Sequence, residues 1–335
     1  MRRVAVLGSG SWGTAFAAIL ADADPAAEVV LHARRAELAE QINRDRVNAD
    51  YLPELTLPPN IRATSSAEEA ADGAELVAIA VPSQSLRDNL AAWGPVIPDT
   101  AAVVSLMKGI ELGTGLRMSE VIVRAGGVDP GRVAVVSGPN LAREIAAKQP
   151  AASVVASEDL HTAEKVAAAV ATSYFRPYTQ TDVVGTEIGG AVKNVVAIAA
   201  GMAEGLGYGD NTKSSIITRG LAETARLSAA LGADPATLMG LAGVGDLIAT
   251  CMSPLSRNHS FGVNLGKGMT VAEVVAATKQ TAEGVKSCHS VLDLAGRHGV
   301  DMPIAAGVTA VIEHGLHPRE LAERLMSRAR KHERH

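Results

Sequence analysis

Val4-Ala5-Val6-Leu7-Gly8-Ser9-Gly10-Ser11-Trp12-Gly13 sits almost at the start of this 335-residue chain. Four apolar residues have the length of a short buried strand, a complete G-x-G-x-x-G follows at once, and residues 15–21 continue with the apolar, alanine-rich composition of a helix. Each glycine has its own physical task in such a strand–turn–helix. Gly8 permits the tight turn, Gly10 lets backbone come up against a pyrophosphate, and Gly13 lets the helix lie close to the strand. The diphosphate then faces free N–H groups and the positive end of a helix dipole. The strand before and the helix after separate this motif from an ordinary glycine turn, and they imply a dinucleotide-binding α/β domain.

Beyond the motif, residues 1–184 alternate short β-branched runs with helical stretches, the pattern of a parallel sheet covered by helices on both faces. Strands are expected over 4–7, 28–31, 76–81, 102–105, 133–137, 153–156 and 174–178, with helices near 35–43 and 115–125. From residue 185 onward helical periodicity takes over, and 187–204, 214–231, 271–278, 285–298 and 318–330 all read as helices. Thr270-Val271-Ala272-Glu273 has the form of a capping box, and Gly299 and Gly315 stand where helices stop. The expected fold is α/β: a Rossmann-type parallel-sheet domain over 1–184, then an all-helical domain over 185–335. No repeat or low-complexity linker separates them.

Composition narrows the classes of function. A hydrophobic content of 47% with only 3% aromatics points to cores built from Ala, Val, Leu and Ile. The net charge of −5 argues against general nucleic-acid binding, which needs a dense positive surface. The basic stretch at 328–334 reads as a solvated terminus. Cys251 and Cys288 lack metal-ligand spacing, so no metal is expected, and two free thiols suit a reducing, cytoplasmic setting. Arg2-Arg3 precedes too short an apolar run for an export signal. No uninterrupted run of about 18 apolar residues is present, so no membrane span is expected.

Where the second strand ends, Leu31-His32-Ala33-Arg34-Arg35 offers no carboxylate before Glu37. An acid there would bind the ribose 2′-hydroxyl of NAD, whereas Arg34 and Arg35 suit the 2′-phosphate of NADP or a stack on adenine. NADP is therefore favoured, with NAD still allowed; the alternative is that the two arginines merely open an exposed helix. Ligands of open α/β sheets collect outside the carboxyl ends of the strands. Lys108-Gly109 and Ser137-Gly138-Pro139-Asn140 both fall there, bringing a lysine, a glycine and an amide from separate loops.

The helical half supplies Gly189-Gly190-Ala191-Val192-Lys193-Asn194. Two helix glycines cost roughly 1 kcal/mol each relative to alanine, which makes sense where backbone or ligand must approach closely. Lys193, in strongly apolar surroundings, must snorkel to water, pair with a carboxylate or lose its charge readily. Gly243-Val244-Gly245-Asp246 places a carboxylate at a helix start, and Ser256-Arg257-Asn258-His259 gathers hydroxyl, guanidinium and amide at another. That combination suits a phosphate. Reading Asp246 and Ser256 as simple caps leaves Arg257 and Asn258 unexplained.

With these residues in view, the chain resembles the bacterial NAD(P)-dependent sn-glycerol-3-phosphate dehydrogenases from Val4 to about Arg330. The likeness rests on residues 8–13, Leu106-Met107-Lys108-Gly109, Ser137-Gly138-Pro139, Gly189-Gly190-Ala191-Val192-Lys193-Asn194, Thr218-Arg219-Gly220-Leu221-Ala222-Glu223, Gly243-Val244-Gly245-Asp246, Ser256-Arg257-Asn258 and Glu283-Gly284. The resemblance implies a 6-phosphogluconate dehydrogenase-like pair of domains in a homodimer. It implies reversible reduction of dihydroxyacetone phosphate to sn-glycerol 3-phosphate, the backbone of phospholipids. By the same resemblance Lys193 is the catalytic lysine, Asp246 the acid accompanying it, and Lys108 a lysine shared by substrate and cofactor. Gly138, Asn140, Asn194, Ser256, Arg257 and Asn258 are implied at the substrate. Ser11, Trp12, Arg34, Arg35, Lys108, Ala142, Arg257 and Glu283 are implied at the cofactor, with Tyr51 bordering it.

Three departures stand out: Asn140 where many bacterial members have Ser or Thr, His259 in place of a common arginine, and Thr281-Ala282 before Glu283 where small aliphatics are usual. The dehydrogenases of 6-phosphogluconate and 3-hydroxyisobutyrate share the domain pair and also use a helix lysine. A non-catalytic NADP(H)-binding regulator would leave Lys193, Asp246 and Arg257 without purpose.

Overall fold

The computed structural model describes residues 1–277, 283–330 and 332, with Glu283 described in its backbone alone. The chain divides into two compact units, Met1–Gly190 with Gly232–Asp246, and Ala191–Leu231 with Leu247–His335. The change of composition near 184 puts residues 232–246 in the helical half; in the structure that segment belongs to the sheet unit.

The strands of the first unit are β1 (Arg3–Leu7), β2 (Glu28–His32), β3 (Val47–Asn48), β4 (Leu52–Thr56), β5 (Ile61–Thr64), β6 (Leu76–Ile79), β7 (Ala102–Ser105), β8 (Val133–Ser137), β9 (Ala151–Ala156) and β10 (Phe175–Gln180). Eight form one sheet in the order β10-β9-β8-β7-β6-β1-β2-β5, while β3 and β4 make a separate hairpin. Alternate residues of β1 serve opposite faces, as the pleat requires. Val4 and Val6 join Phe16, Ile19, Ile42 and Phe175, whereas Ala5 and Leu7 join Leu86, Leu90, Met118 and Val121. Apolar layers on both faces explain why these strands read as unbroken hydrophobic runs.

The expected parallel sheet is present with one antiparallel pair within it, β8 against β9. Only the short helix Ala142–Ala146 lies between them, and the chain turns back instead of crossing over. The edge strand β5 and the hairpin β3–β4 were not expected from the sequence; Arg62 and Pro53 interrupt any β-branched run there.

Residues 232–246 are fastened to the sheet unit by Asp182. One carboxylate oxygen accepts from Gly185 N at 2.9 Å, and the other accepts from Asp234 N at 3.0 Å and Thr237 Oγ1 at 2.7 Å. The segment then forms a π-helical turn, Leu241–Gly245, whose Ala242 packs with Val135, Val154 and Ala156.

In the second unit the helices Asp210–Ala230, Arg257–Gly266, Val271–Ala277, Glu283–Arg297, Pro303–His314 and Pro318–Met326 accompany the later turns of Val183–Gly205 and Asp246–Met252. The expected end of one helix at Thr278 lies outside the described residues. The helix Val183–Gly205 has the length and apolar character to cross a membrane, but it is a buried core helix. Its Gly201 and Gly205 meet Gly262 and Gly266 of the helix Arg257–Gly266 backbone to backbone. A Cβ on Gly201 would lie 2.1 Å from His259 O, and one on Gly262 would lie 2.1 Å from Ile198 O. Cys251 and Cys288 are both buried, and burial pushes the Cys288 thiol up to about 12.

The helix Pro303–His314, of which only the stop at Gly315 was expected, is capped by a buried acid. Glu223 accepts from Ile304 N at 2.8 Å and Ala305 N at 3.3 Å, and burial pushes its carboxyl up to about 7. Below pH 4.5 Glu223 is protonated folded or unfolded. As pH rises further the unfolded chain releases its proton first, so stability falls until about pH 7. At 1.36 kcal/mol per pKa unit, the loss amounts to about 3 kcal/mol. Glu223→Gln cannot ionise, and urea denaturation at pH 5 and pH 8 should show it losing about that much less stability than the parent across this range. An unchanged difference between the two pH values would remove Glu223 as its source.

Candidate active site

The glycine loop after β1 makes the two close internal approaches expected at Gly8 and Gly13. Gly8 has φ +118°, and a Cβ there would lie 2.3 Å from Ala80 O; a Cβ on Gly13 would lie 2.0 Å from Gly8 O. At Gly10 a Cβ would meet nothing within 4 Å. Two glycines thus serve internal packing, and the third keeps a bare approach at the start of the helix Ser11–Ala23, where no side chain caps the N–H groups. This cradle fits a dinucleotide diphosphate.

The hairpin buttresses the loop from outside. Asn48, fully buried, donates through Nδ2 to Ser9 O and to Thr14 Oγ1, each at 2.8 Å. Ser11 Oγ donates to Tyr51 O at 2.9 Å. Asn48 carries no sequence signal beyond its place in Asn48-Ala49-Asp50-Tyr51, because its partners lie far back in the chain. Trp12 packs edge-on to Phe16 at 5.6 Å, and its Nε1 is buried without a hydrogen-bond partner among the described residues. The arginine pair after β2 differs from expectation in one respect. A carboxylate does reach it, from the hairpin: Arg35 is ion-paired with Asp50. Arg34 is exposed. His32, at the end of β2, is buried edge-on to Trp93, and burial lowers its imidazole pKa.

At the carboxyl ends of β7 and β8 the first unit assembles a charged cluster. Lys108 Nζ donates to Gly138 O at 2.9 Å and to Asp246 Oδ2 at 2.6 Å. The Asp246 side chain is only 1% exposed. A Cβ on Gly190 would lie 3.4 Å from Lys108 Cγ and 3.0 Å from Ser137 Oγ, so this glycine leaves room for the lysine stem. The close approach inferred from the paired helix glycines is therefore present. Asn140 Nδ2 donates to Ser153 Oγ at 3.1 Å, and its Oδ1 is buried without a partner among the described residues. Ala142, half-buried, starts the helix Ala142–Ala146.

In the second unit Lys193 is 7% exposed and donates to Thr250 Oγ1 at 2.8 Å. It does not snorkel. Its neighbour Asn194 accepts through Oδ1 from Asn258 Nδ2 at 2.9 Å, and Asn258 Oδ1 accepts from Gly284 N at 2.9 Å. Ser256 caps the helix Arg257–Gly266, its Oγ accepting from His259 N at 3.2 Å, and Arg257 stands exposed in the first turn. His259 is buried, with Nε2 3.4 Å from Glu204 Oε2, so it adds no exposed positive charge beside Arg257. The side chain of Glu283, together with Thr281 and Ala282, lies outside the described residues. Thr250 and Ser153 carried no signal in the sequence: each is a single hydroxyl in an apolar stretch.

Two family models match the chain, NAD-dependent glycerol-3-phosphate dehydrogenase N-terminus over residues 3–163 and its C-terminus over residues 182–323. The glycerol-3-phosphate dehydrogenase (NAD(P)+) of Streptomyces griseus is 61% identical over 332 residues, which is 99% of this chain and 98% of that protein. That of Thermobifida fusca is 59% identical over 335 residues, 100% and 99% of the two chains. The crystal structure of glycerol-3-phosphate dehydrogenase from Coxiella burnetii is 34% identical and matches with a TM-score of 0.92, covering 98% of this chain and 99% of that one.

Proposed function

The chain belongs to the NAD-dependent glycerol-3-phosphate dehydrogenase family, and we propose that it reversibly reduces dihydroxyacetone phosphate to sn-glycerol 3-phosphate with NADPH or NADH. The product would supply the backbone of glycerophospholipids, and the enzyme would act as a homodimer in the cytoplasm. Two buried thiols are in keeping with that reducing compartment.

Gly8, Gly10 and Gly13, with Ser11 and Trp12, would hold the dinucleotide at its diphosphate. Arg34 and Arg35 would take its adenosine end, with Tyr51, Ala142, Lys108, Arg257 and Glu283 as further contacts. When bound, the reduced cofactor supplies the hydride that reaches the ketone carbon. Lys193 donates the proton that the carbonyl oxygen then needs, and in the reverse direction it takes that proton from the alcohol. Thr250 holds the Lys193 ammonium away from bulk water. Lys108, steadied by Asp246 and the Gly138 carbonyl, stabilises negative charge developing on the substrate oxygen. Ser256, Arg257 and Asn258 anchor the phosphate at a helix start, and Asn140 adds an amide contact. Anchoring the phosphate fixes the ketone relative to the proton donor, which removes much of the entropic cost of reaction.

The observation that carries this reading is the buried Asn194–Asn258 bond. It ties the helix of the proton donor to the turn that presents Arg257. The reading is tested by following reduced-nicotinamide absorbance with dihydroxyacetone phosphate and each cofactor in turn. Failure to oxidise either cofactor would end it. In the same assay, Arg34→Ala is expected to raise KM for NADPH about tenfold and to leave KM for NADH within about twofold, since only NADPH has a 2′-phosphate for the guanidinium. Equal losses with both cofactors would move Arg34 to the adenine instead.

A further inference from the structure

We propose that Ser153 is a positioning residue for Lys108, acting through the carbonyl of Gly138. The proposal rests on the reading that Lys108 acts on the substrate. Ser153 lies on β9 and is fully buried, beside the antiparallel pairing with β8. Its hydroxyl has a single proton, which it donates to Ser137 O at 2.9 Å. In its other bond, 3.1 Å from Asn140 Nδ2, it must therefore accept. One side chain thus tethers both ends of the loop from Ser137 to Asn140, and it also fixes which end of the Asn140 amide faces inward.

Gly138 runs between those tethers. Its φ is +143°, and a Cβ there would fall 3.1 Å from both Cα and Oγ of Ser153, so the loop backbone rests directly on the serine. The Gly138 carbonyl is the oxygen to which Lys108 Nζ donates at 2.9 Å, while Asp246 Oδ2 takes a second N–H at 2.6 Å. The Gly138 carbonyl and the Asp246 carboxylate both help set the direction of the ammonium. Asp246 is placed by its own segment, and the Gly138 carbonyl is placed by Ser153. The sheet pairing of β9 does not use the hydroxyl, but without it the side-chain bonds to Ser137 O and Asn140 Nδ2 are lost. A charged group displaced by even a fraction of an ångström from a developing charge loses much of its effect.

The test uses the full-length enzyme with Ser153→Ala and Ser153→Thr, each made alone and combined with Lys108→Ala. Ser153→Ala is expected to lower kcat for dihydroxyacetone phosphate about tenfold, with the NADPH dissociation constant within about twofold and the melting temperature close to the parent's. Ser153→Thr keeps the hydroxyl and should recover at least about half of the lost rate. In the Lys108→Ala background, Ser153→Ala should cost less than about twofold, because the group it orients is gone. Full kcat in Ser153→Ala overturns the proposal, as does an equal tenfold loss in both backgrounds. So does a Thr variant that melts like the parent yet recovers nothing. If Lys108→Ala alone keeps normal turnover, the assigned role of Lys108 falls first and the proposal falls with it; a failure of Ser153 alone leaves the Lys108 loss standing.

Discussion

Lys193→Ala should lower turnover of dihydroxyacetone phosphate about a thousandfold while leaving NADPH binding nearly unchanged, the loss expected when a positioned proton donor is removed. The side chain lies in a buried helix and reaches Thr250 Oγ1, so truncation removes the donor without touching the glycine loop after β1. A second substitution separates proton transfer from charge. Lys193→Arg keeps a cation, but a guanidinium does not release its proton at any working pH. Its turnover should therefore stay near that of the alanine variant. Substantial activity in the arginine variant would show that positive charge alone is what position 193 supplies. Near-normal turnover in the alanine variant would end the assignment altogether.

The largest expected effect on stability is at the glycine crossing of the second unit. Gly262→Ala places a methyl group 2.1 Å from Ile198 O and within 3.0 Å of Met202 N, and neither atom is the end of a flexible side chain. Helix backbones must separate to admit it. We expect a loss of about 3 kcal/mol or more, read as a lower urea midpoint. Gly296→Ala provides the control, because a Cβ there meets nothing within 4 Å. It carries the same gain in helix propensity, up to about 1 kcal/mol, and should stabilise. If both variants behave alike, the crossing tolerates repacking and the geometric argument is wrong.

Which parts of this molecule could be read from its sequence follows from how far apart the interacting residues lie. The β1–glycine–helix unit is legible because its strand, turn and helix signals fall within ten or so residues, and Gly8 and Gly13 meet the close approaches their positions imply. The strands β6, β7 and β8 are legible because burial on both faces leaves continuous apolar runs. Strand direction is not written that way. β9 has the same composition whether it runs with β8 or against it, so the antiparallel pair went unseen. The edge strand β5 needs apolar residues less, and Arg62 hides it. Arg34 and Arg35 could be flagged from their place after β2, but the Asp50 carboxylate that meets Arg35 arrives from a hairpin built around an unremarked Asn48.

At the site, Lys108, Lys193, Asp246 and Arg257 could be nominated from residue type and local context. Their partners could not. Lys108 and Asp246 lie 138 positions apart, and no local pattern announces that one will be the other's counter-ion. Asp246 was expected beside Lys193 through resemblance alone. The hydroxyls of Thr250 and Ser153 are quieter still, since a buried serine or threonine acquires meaning only from the groups folded against it. The glycines of the Gly201–Gly262 crossing belong between these extremes: both helices carry glycines four residues apart, a spacing that hints at contact without naming the partner.

The three glycines after β1 are not equivalent targets for mutation. A methyl at position 8 or 13 collides with the protein's own backbone, so a substitution there costs folding stability whatever the chain binds. A methyl at position 10 meets nothing within 4 Å among the described residues. Under the proposed dinucleotide role, Gly10→Ala would therefore leave a chain that folds as the parent does and binds its nucleotide poorly.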